Sequence, residues 1–597
     1  MWPILKKYSM SEVSGKAFDI KTLGKVMRYV RPYRLLFVTG FLLTILLGAV
    51  ATSRPILIKY TIDQFVVTPD AEGLLLYSLL MLFLLFVESG LQFAFIYTAN
   101  FLGQSVIRDI RIQLYRHLIR FRLSYFDRTP IGTLVTRAVS DIETIANIFS
   151  EGLLVIFGDL FKIGVMVVAM FTFFSWPLVL MSLSVVPLLF LATRWFQRSI
   201  KGTFQDVRNE VARLNAFVQE HLGGMMIVQA FHREAAELEK FKEINRAHRD
   251  ANIRSIWYFS IFLPIIEVLS AVSIGLVVWY GGWQSAMGGE VTFGDLTAIL
   301  IFINMLFRPL RQLADRFNTL QMGMVASERV LKILDQDERI ENTGDHTSFA
   351  LTGAIEFRDV WFAYTDEHWV LQGVNIQVEP GETLAIVGAT GAGKSTIINL
   401  VSRFYEIQKG QILLDGRPHT EYELNALREQ MAVVLQEVFL FSDTIHYNVT
   451  LGDDIPMEKL EEAARLIGVE ELIEKLPGGW QFNVRERGGT LSAGQRQLIS
   501  FLRAYVHDPK ILILDEATSS IDSHSEELIQ RATEKLTEDR TSIIIAHRLA
   551  TIRRADRILV MDKGQVVEQG THDDLLEKEG IYKKLYEMQF QTEDTSS

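Results

Sequence analysis

Residues 388–395 read Gly-Ala-Thr-Gly-Ala-Gly-Lys-Ser, and this stretch decides the fold of the C-terminal half of the chain. It fits the pattern G-x-x-x-x-G-K-[ST] and follows the apolar run Thr383-Leu-Ala-Ile-Val387, which predicts a strand, a phosphate-binding loop and then a helix. Glycines allow a tight turn whose amide groups point at phosphate oxygens, and the lysine adds a positive charge toward the terminal phosphates. The stretch therefore predicts a site for a nucleoside triphosphate.

The composition limits what the rest of the chain can be. Its 597 residues are too many for one hydrophobic core, and the positive mean hydropathy predicts that part of the chain lies in a lipid bilayer. The net charge of -11 argues against a nucleic-acid partner, because phosphate backbones are bound through an excess of Lys and Arg. The absence of cysteine excludes disulfides and thiolate metal sites.

Six apolar segments in the N-terminal half are long enough to cross a bilayer, which takes about 20 residues. They cover residues 34–58, 74–102, 151–174, 177–196, 257–282 and 293–315. The long connections 103–150 and 197–256 are rich in arginine, whereas the short ones carry almost no Lys or Arg. The positive-inside rule places the long connections and both termini in the cytoplasm, which predicts a multi-pass protein of the cell inner membrane.

Apolar residues continue at helical spacing beyond the second span, at Ile107, Ile110, Leu114 and Leu118. This pattern predicts that the membrane helices run well into the cytoplasm. The predicted fold class is a polytopic α-helical membrane domain of six transmembrane helices fused to an α/β P-loop domain. The predicted boundaries are 1–335 for the membrane domain with its cytoplasmic coupling segments, 336–350 for a polar linker, and 351–597 for the nucleotide-binding domain.

A second apolar strand, Ile511-Leu-Ile-Leu-Asp515, ends in two acids. Asp515 is placed to hold the shell of a magnesium ion, and Glu516 to accept a proton from an attacking water, a general-base role that contributes about 10²- to 10⁴-fold in rate. Gln436 and His547 each close another apolar run. We expect the glutamine to sense the metal or the water, and the histidine to contact the terminal phosphate.

The segment Leu491-Ser-Ala-Gly-Gln495, together with these motifs in the same order, resembles the nucleotide-binding domain of ATP-binding cassette (ABC) transporters. Six spans ahead of one cassette resemble a half-transporter of the exporter class. The segments around Phe126-Asp127 and from Glu220 to Glu234 resemble its two cytoplasmic coupling segments. The resemblance implies ATP and Mg²⁺ as cofactors, a transport-coupled ATPase activity, a bilayer, and a second half-transporter as partner.

The resemblance also implies roles for particular residues. The Walker A loop corresponds to Gly388 through Thr396, and Tyr364 to the aromatic residue that stacks on adenine. The implied ATP-binding residues are Tyr364, Gly388, Thr390, Gly391, Gly393, Lys394, Ser395, Thr396, Ser492, Ala493, Gly494, Gln495 and Asp522 of the D-loop. The implied metal site consists of Ser395, Gln436 and Asp515, and the implied catalytic residues are Glu516, His547 and Gln436.

One residue departs from the family pattern. The commonest signature has glycine at the position of Ala493, where backbone amides approach the ATP held by the opposing cassette. A β-carbon narrows the allowed backbone, so contact with phosphate weakens unless φ is already negative. With this altered signature the chain resembles one subunit of heterodimeric exporters, in which the partner subunit supplies the intact signature. The alternatives are a homodimeric lipid flippase or exporter, and an ATP-gated channel or regulatory subunit.

The substrate is the least determined feature of the sequence. Ionisable residues at membrane depth face a cavity or a partner, and Glu88, Asp159, Lys162 and Glu267 are the candidates. The spacing of Asp159 and Lys162 predicts mutual neutralisation. The two glutamates have no such partner nearby in sequence, which leaves a cationic cargo open. The expected function is ATP-driven export, by alternating access, of a hydrophobic or amphipathic drug, lipid or peptide.

Overall fold

The computed structural model describes residues 20–342, 344–347, 349–365, 368–515, 523–546 and 548–589. They divide into two compact units. The first takes in the described residues of 1–119 and 131–337, and the second those of 120–130 and 338–597. The division between residues 337 and 338 falls inside the predicted linker, and the short segment 120–130 is assigned to the second unit. The boundaries at 335 and 350 stay predictions.

The N-terminal part of the chain is helical. Its helices, of which α4 belongs to the second unit, are α1 (Ile20–Val30), α2 (Arg34–Thr61), α3 (Ala71–Leu118), α4 (Leu123–Arg128), α5 (Ile131–Thr136), α6 (Ile142–Asn147), α7 (Leu154–Phe173), α8 (Trp176–Leu183), α9 (Val186–Gly223), α10 (Met225–Ala230), α11 (Glu234–Ala286) and α12 (Phe293–Leu334). The described residues contain six helical stretches that are long and apolar enough to cross a membrane. This confirms the predicted number of spans.

Two of these helices are much longer than a bilayer is thick. The helix α3 has 48 residues and α11 has 53. At a rise of about 1.5 Å per residue they are about 72 and 80 Å long, against about 30 Å for the hydrocarbon core. The four residues that predicted the extension of α3 are all buried: Ile107, Ile110, Leu114 and Leu118. Packing of this apolar stripe stabilises the helix beyond the membrane-spanning part.

Side-chain caps define where two of the long helices begin. The Asp70 carboxylate accepts hydrogen bonds from the backbone amides of Glu72 and Gly73 and so starts α3. Thr292 and Asp295 form a reciprocal capping box at the start of α12. These caps satisfy amide groups that have no partner within the helix. Both helices therefore begin at fixed residues.

The second unit contains two sheets. Its strands are β1 (Ile355–Phe362), β2 (Leu371–Val378), β3 (Thr383–Gly388), β4 (Lys409–Leu414), β5 (Arg417–Pro418), β6 (Met431–Val434), β7 (Ile511–Asp515), β8 (Thr541–Ile545), β9 (Arg557–Asp562) and β10 (Gln565–Gly570). An antiparallel sheet has the order β2-β1-β4-β5, and a six-stranded sheet has the order β10-β9-β3-β8-β7-β6. In the larger sheet only β10 pairs antiparallel.

The second unit also contains α-helices, several of which pack against the larger sheet, as expected for buried parallel strands. They are α13 (Lys394–Val401), α14 (Leu424–Glu429), α15 (Ile445–Thr450), α16 (Met457–Ile467), α17 (Glu470–Lys475), α18 (Ala493–Val506), α19 (Ser523–Thr537), α20 (Leu549–Arg554), α21 (His572–Glu577) and α22 (Ile581–Gln589). The central strands β3, β7 and β8 are almost entirely buried. The predicted α/β class is confirmed.

The strand order places the predicted motifs at one edge. The neighbouring strands β3, β8, β7 and β6 are parallel, so their carboxyl ends meet at the same edge of the sheet. Gly388 ends β3 and Asp515 ends β7. In parallel α/β sheets, ligands bind at this edge.

Candidate functional site

The loop between β3 and α13 has a backbone that depends on glycine. Gly388, Gly391 and Gly393 have φ of +154°, +83° and +100°. A β-carbon on Gly388 would overlap the carbonyl oxygen of Met561 in β9, which is rigid backbone. By contrast, a β-carbon on Gly391 would meet open space. Glycine is therefore required at position 388 by close packing, and at position 391 only by the backbone conformation.

The lysine at the start of α13 is held over this loop. Lys394 is only 8% exposed, and its Nζ donates hydrogen bonds to the carbonyl oxygens of Gly388 (2.7 Å) and Ala389 (3.1 Å). Burial lowers the pKa of the Lys394 ammonium, and the nearby Asp515 carboxylate opposes this shift. The side chain thus presents a positive charge, largely removed from water, at the edge of the sheet.

The first turn of α13 leaves its amide groups for a ligand. Gly393 precedes the helix in a left-handed conformation, and within the described chain no side chain caps this end. The first amides of a helix carry partial positive charge and bind anions. With three glycines and Lys394 around them, these amides fit the phosphates of a nucleotide.

Oxygen ligands for a hard cation lie beside the loop. Ser395 Oγ is 3.4 Å from Asp515 Oδ2, so the ends of β3 and β7 bring a hydroxyl and a carboxylate together. Over the described ranges, no three acidic or histidine side chains form a metal cage. Mg²⁺ is commonly held by one or two protein oxygens together with phosphate oxygens, and these two residues fit that arrangement.

Tyr364, the residue expected to stack on adenine, lies beside α13. It is partly buried, and its hydroxyl lies 3.3 Å from Thr396 Oγ1 and accepts a hydrogen bond from Asn399 Nδ2 at 3.0 Å. Its ring packs edge-on against Tyr405, with 5.0 Å between the ring centroids. The structure therefore brings Tyr364 and Thr396 together, with Asn399 and Tyr405 as neighbours, and the stacking of Tyr364 on adenine stays a prediction.

The short helix α4 contacts this tyrosine pair. The Tyr405 hydroxyl donates a hydrogen bond to the Asp127 carboxylate, and Arg128 Nη2 donates to the Tyr364 carbonyl oxygen at 3.1 Å. Burial and the neighbouring Asp127 raise the pKa of Tyr405. Sequence reasoning identified the segment around Phe126-Asp127 but missed Tyr405 and Arg128, because their partners lie more than 200 residues away in sequence.

The signature segment forms the start of α18. Ser492 is the N-cap: its Oγ accepts from the Gln495 amide (3.2 Å), and the Gln495 side chain accepts from the Ser492 amide (2.9 Å). Ala493 is the first helical residue, has negative φ and is exposed, whereas Gly494 is buried. The predicted condition for a tolerated alanine, a negative φ, is thus met. The remaining effect of its methyl group is to occupy space at the surface.

Several predicted site residues are less constrained or fall outside the described residues. Gln436 is exposed two residues beyond the end of β6, at the same sheet edge as Asp515. The residues Glu516, Asp522 and His547 lie outside the described residues. Thr390 lies within the loop before α13 and is exposed. The roles of all these residues stay predictions.

The candidate charges in the membrane half have different surroundings from those predicted. Glu88 pairs with Arg54 of α2 at 3.4 Å, a partner that the sequence of its own helix did not indicate. No hydrogen bond or ion pair within 4 Å joins Asp159 to Lys162, so their predicted neutralisation is at most long-range in the described structure. Glu267 is exposed on α11 and engages a neighbour. Because Glu88 is paired, it does not indicate a cationic cargo.

Comparison with known protein families agrees with this geometry. Residues 37–310 match the family described as ABC transporter transmembrane region, and residues 371–519 match the family described as ABC transporter. The first match covers the membrane spans, and the second runs from β2 through the Walker A loop and β7.

Individual relatives span nearly the whole chain. The uncharacterized ABC transporter ATP-binding protein YknV of Bacillus subtilis is 36% identical, covering 98% of this chain and 97% of its own length. An ATP-dependent lipid A-core flippase of Desulfotalea psychrophila is 34% identical over 95% of this chain and 99% of its own. A probable multidrug resistance ABC transporter ATP-binding/permease protein, YheH of B. subtilis, is 36% identical over 89% and 79%. The chain belongs to the ABC transporter family, and it is an exporter half-transporter that couples ATP hydrolysis to transport across a membrane.

Proposed function

We propose that this chain is one half of a heterodimeric exporter that moves an amphipathic drug, lipid or peptide across the cell inner membrane. Its nucleotide-binding domain lies in the cytoplasm, on the side of the arginine-rich connections. In this proposal, the hydrolysing ATP site combines this chain's Walker A loop and its Walker B acids, Asp515 and Glu516, with the signature of a different subunit. The observation that carries the proposal is Ala493, exposed at the start of α18 where the commonest signature has glycine.

Within the hydrolysing site, each residue has a distinct proposed task. Lys394 and the first amides of α13 bind the phosphates, and Tyr364 supports the adenine. Ser395, Asp515 and Gln436 hold Mg²⁺, which neutralises phosphate charge when bound. Glu516 orients the attacking water and accepts its proton, and His547 contacts the terminal phosphate.

A second surface supports a dimer. The short helix α10 connects two long helices of the membrane half, and it exposes Met226 (77%), Ile227 (59%) and the following Phe231 (71%). Exposed apolar side chains grouped on one short connection need a partner surface. This segment is the predicted second coupling segment, and we propose that it contacts the cassette of the other half-transporter.

A homodimeric exporter is the second candidate, and one observation favours it. Because Ala493 already has a helical backbone, the alanine does not distort α18 and could serve in two identical ATP sites. Two of the relatives, at 34% and 33% identity, are named ATP-dependent lipid A-core flippases. A lipid substrate is compatible with either assembly.

Purification of the chain alone and together with the product of its neighbouring gene separates the two candidates. We expect the co-expressed pair to form a 1:1 complex with ATPase activity and ATP-dependent lipid movement in proteoliposomes, and the chain alone to hydrolyse ATP poorly. A matched pair carrying Glu516→Gln controls for contaminating ATPases. Strong ATPase activity and transport by the chain alone would refute the heterodimer and leave the homodimer.

A further inference from the structure

A partly buried arginine in α18 has no acidic partner in the described part of the chain. Arg503 lies in the helix that begins with the signature segment, and burial lowers the pKa of its guanidinium. A charge that is removed from water is costly unless hydrogen bonds compensate for the lost hydration. The hydrogen-bond acceptors around Arg503 therefore indicate what this residue does.

Two backbone carbonyl groups hold the guanidinium. Its Nε donates to the carbonyl oxygen of Asn448 in α15 at 2.7 Å, and its two Nη atoms donate to the carbonyl oxygen of Phe439 at 3.4 and 3.5 Å. Phe439 belongs to the connection between β6 and α15, of which we call residues 436–441 the Gln436 segment. Arg503 thus links α18 to the segment that carries the predicted metal-sensing glutamine.

Asn448 fixes the far end of the Gln436 segment. This residue is completely buried, and its side chain binds both backbone groups of Phe441: Oδ1 accepts from the amide at 2.8 Å, and Nδ2 donates to the carbonyl oxygen at 3.0 Å. Loss of either bond would leave a desolvated polar group, so the arrangement holds the backbone in one position. Since Arg503 binds the carbonyl oxygen of Asn448, hydrogen bonds run without a break from Phe441 to α18.

An apolar contact joins the Gln436 segment to the loop before the signature. Leu440 is completely buried, and a β-carbon on Gly488 would lie 3.0 Å from its Cδ1 and 2.8 Å from Cδ of Arg496. Arg496 Nη1 in turn donates a hydrogen bond to the carbonyl oxygen of Leu491, the first residue of the signature segment, at 2.8 Å. Close-packed interiors have low compressibility and transmit displacements. The Gln436 segment is thus packed against the start of α18 as well as bonded to its later part.

The connected parts contribute to different ATP sites in the proposed dimer. Gln436 lies at the same sheet edge as Asp515, and in the dimer it belongs to the site of this chain's own Walker A loop. The signature at the start of α18 contributes to the site whose Walker A loop comes from the other subunit. A shift of the Gln436 segment around one nucleotide would therefore be passed to the residues that approach the other nucleotide.

We propose that Arg503 is a positioning residue that couples the two ATP sites through Asn448 and the Gln436 segment. ATP in the site of this chain's Walker A loop raises the ATP affinity of the site that receives this chain's signature. Arg503 contacts neither nucleotide and acts through the position of α18. The inference rests on the proposed function, because it requires a dimer with two composite sites.

Photolabelling of the complex with radiolabelled azido-ATP tests this coupling site by site. The reagent attaches near the adenine, and the two subunits separate on a gel, so titration gives an affinity for each site. In the Glu516→Gln background, which prevents turnover, Lys394→Ala empties this chain's own site. We expect this change to weaken labelling of the other subunit by about fivefold or more, the usual size of coupling between sites. With Arg503→Gln added, the same change should alter that affinity by less than about twofold.

Arg428→Gln is the matched control. Arg428 of α14 is also partly buried, and it holds the carbonyl oxygens of Ser402 and Arg403 at 3.4 and 2.9 Å, which lie outside the connection to α18. This variant should leave the coupling intact. A general loss of cassette stability would lower both affinities but preserve the effect of Lys394→Ala on the other subunit. Preserved coupling in Arg503→Gln, or equal loss of coupling in Arg428→Gln, would overturn the proposal.

A conservative variant covers the case in which Arg503→Gln does not assemble. Arg503→Lys keeps the positive charge, but a single ammonium replaces the fork that reaches two carbonyl groups. We expect reduced coupling with a normal affinity at this chain's own site. Full coupling in Arg503→Lys would contradict the link through both carbonyl groups.

The same measurements separate this inference from the proposed heterodimer. If the chain forms a homodimer, Lys394→Ala affects both sites, and the coupling is measured as the steepness of ATP binding by the Glu516→Gln protein. A steep binding curve that becomes hyperbolic in Arg503→Gln would support the coupling and contradict the heterodimer. A heterodimer in which Lys394→Ala leaves the affinity of the other subunit unchanged would contradict only the coupling.

Discussion

We propose that the Walker A loop and the first turn of α18 both present helix amides to phosphate, and the two regions have different backbone conformations. The Walker A loop bends through glycines at positive φ, and at Gly388 the packing against Met561 admits no side chain. The start of α18 is an ordinary helix N-terminus with a capping box between Ser492 and Gln495. Glycine is thus a requirement of the fold in one region, and not in the other.

This difference shows where Ala493 has its effect. Since its backbone is helical and its side chain exposed, the alanine costs the folded chain little. In the proposed dimer, any functional consequence arises in the space between α18 and the nucleotide bound by the other subunit. The two regions then contribute to different ATP sites, and variants in them should affect different sites directly.

The largest effect is expected from Glu516→Gln, in the ATP site to which the Walker A loop belongs. Loss of the general base should lower ATP hydrolysis by about 10²- to 10⁴-fold, while ATP binding persists and the closed dimer accumulates. Steady-state hydrolysis and binding of radiolabelled ATP measure the two properties. Glu538→Gln, which removes an exposed carboxylate paired with Lys535, is the matched control. Near-normal hydrolysis by Glu516→Gln would show that the base has been assigned wrongly.

Lys394→Ala should produce the next largest effect, on binding rather than on chemistry alone. The variant removes the buried ammonium that is held over the loop, and charge-assisted contacts of this kind contribute about 1.5–3 kcal/mol, or roughly 10- to 100-fold in ATP affinity. Titration with a fluorescent ATP analogue measures the affinity. Lys475→Ala, at an exposed ion pair with Glu471, should bind ATP normally. Unchanged affinity in Lys394→Ala would contradict its proposed contact with the phosphates.

Two alanine substitutions in the Walker A loop separate packing from backbone conformation. Gly388→Ala must displace the β9 backbone, and overpacking of this kind costs about 1–3 kcal/mol, so ATP affinity should fall by about tenfold or more. Gly391→Ala meets open space and has only its positive φ to accommodate, at a cost of about 1 kcal/mol. Equal losses in the two variants would remove the steric argument for Gly388.

Features with a local cause could be predicted from the sequence. The strand β3, the glycine loop and α13 follow from consecutive residues, since the apolar run and the glycines determine the turn without outside help. The six spans follow from segment length and hydropathy in the same way. The convergence of Ser395 and Asp515 required one further rule, that parallel strands end at the same sheet edge.

Contacts between distant parts of the chain could not be predicted. The hydrogen bond from Tyr405 to Asp127 joins residues 278 apart, and nothing in either local sequence indicates the other. Glu88 looked unpaired because its partner, Arg54, lies on a different helix. Side-chain pairing in helical bundles depends on which helix faces pack together. A single sequence shows which residues share a face, but it does not show which two faces are in contact.

The smallest effect is expected from Ala493→Gly, and it tests the α18 side of the comparison directly. In the Glu516→Gln background both ATP sites of the complex stay occupied, so equilibrium binding resolves two affinities. If the methyl group of Ala493 hinders the approach to phosphate, glycine should tighten the weaker site by about two- to tenfold, or about 0.4–1.4 kcal/mol, and leave the tighter one unchanged.

Glycine at the first helical position costs less than about 1 kcal/mol of helix stability, so a folded α18 is expected in the variant. Ser492→Ala is the matched control, because it removes the N-cap of the same helix without changing the methyl group at position 493. It should weaken the site that Ala493→Gly tightens. If Ala493→Gly changes neither affinity, the methyl group is harmless, and the case for a different partner subunit loses the residue on which it rests.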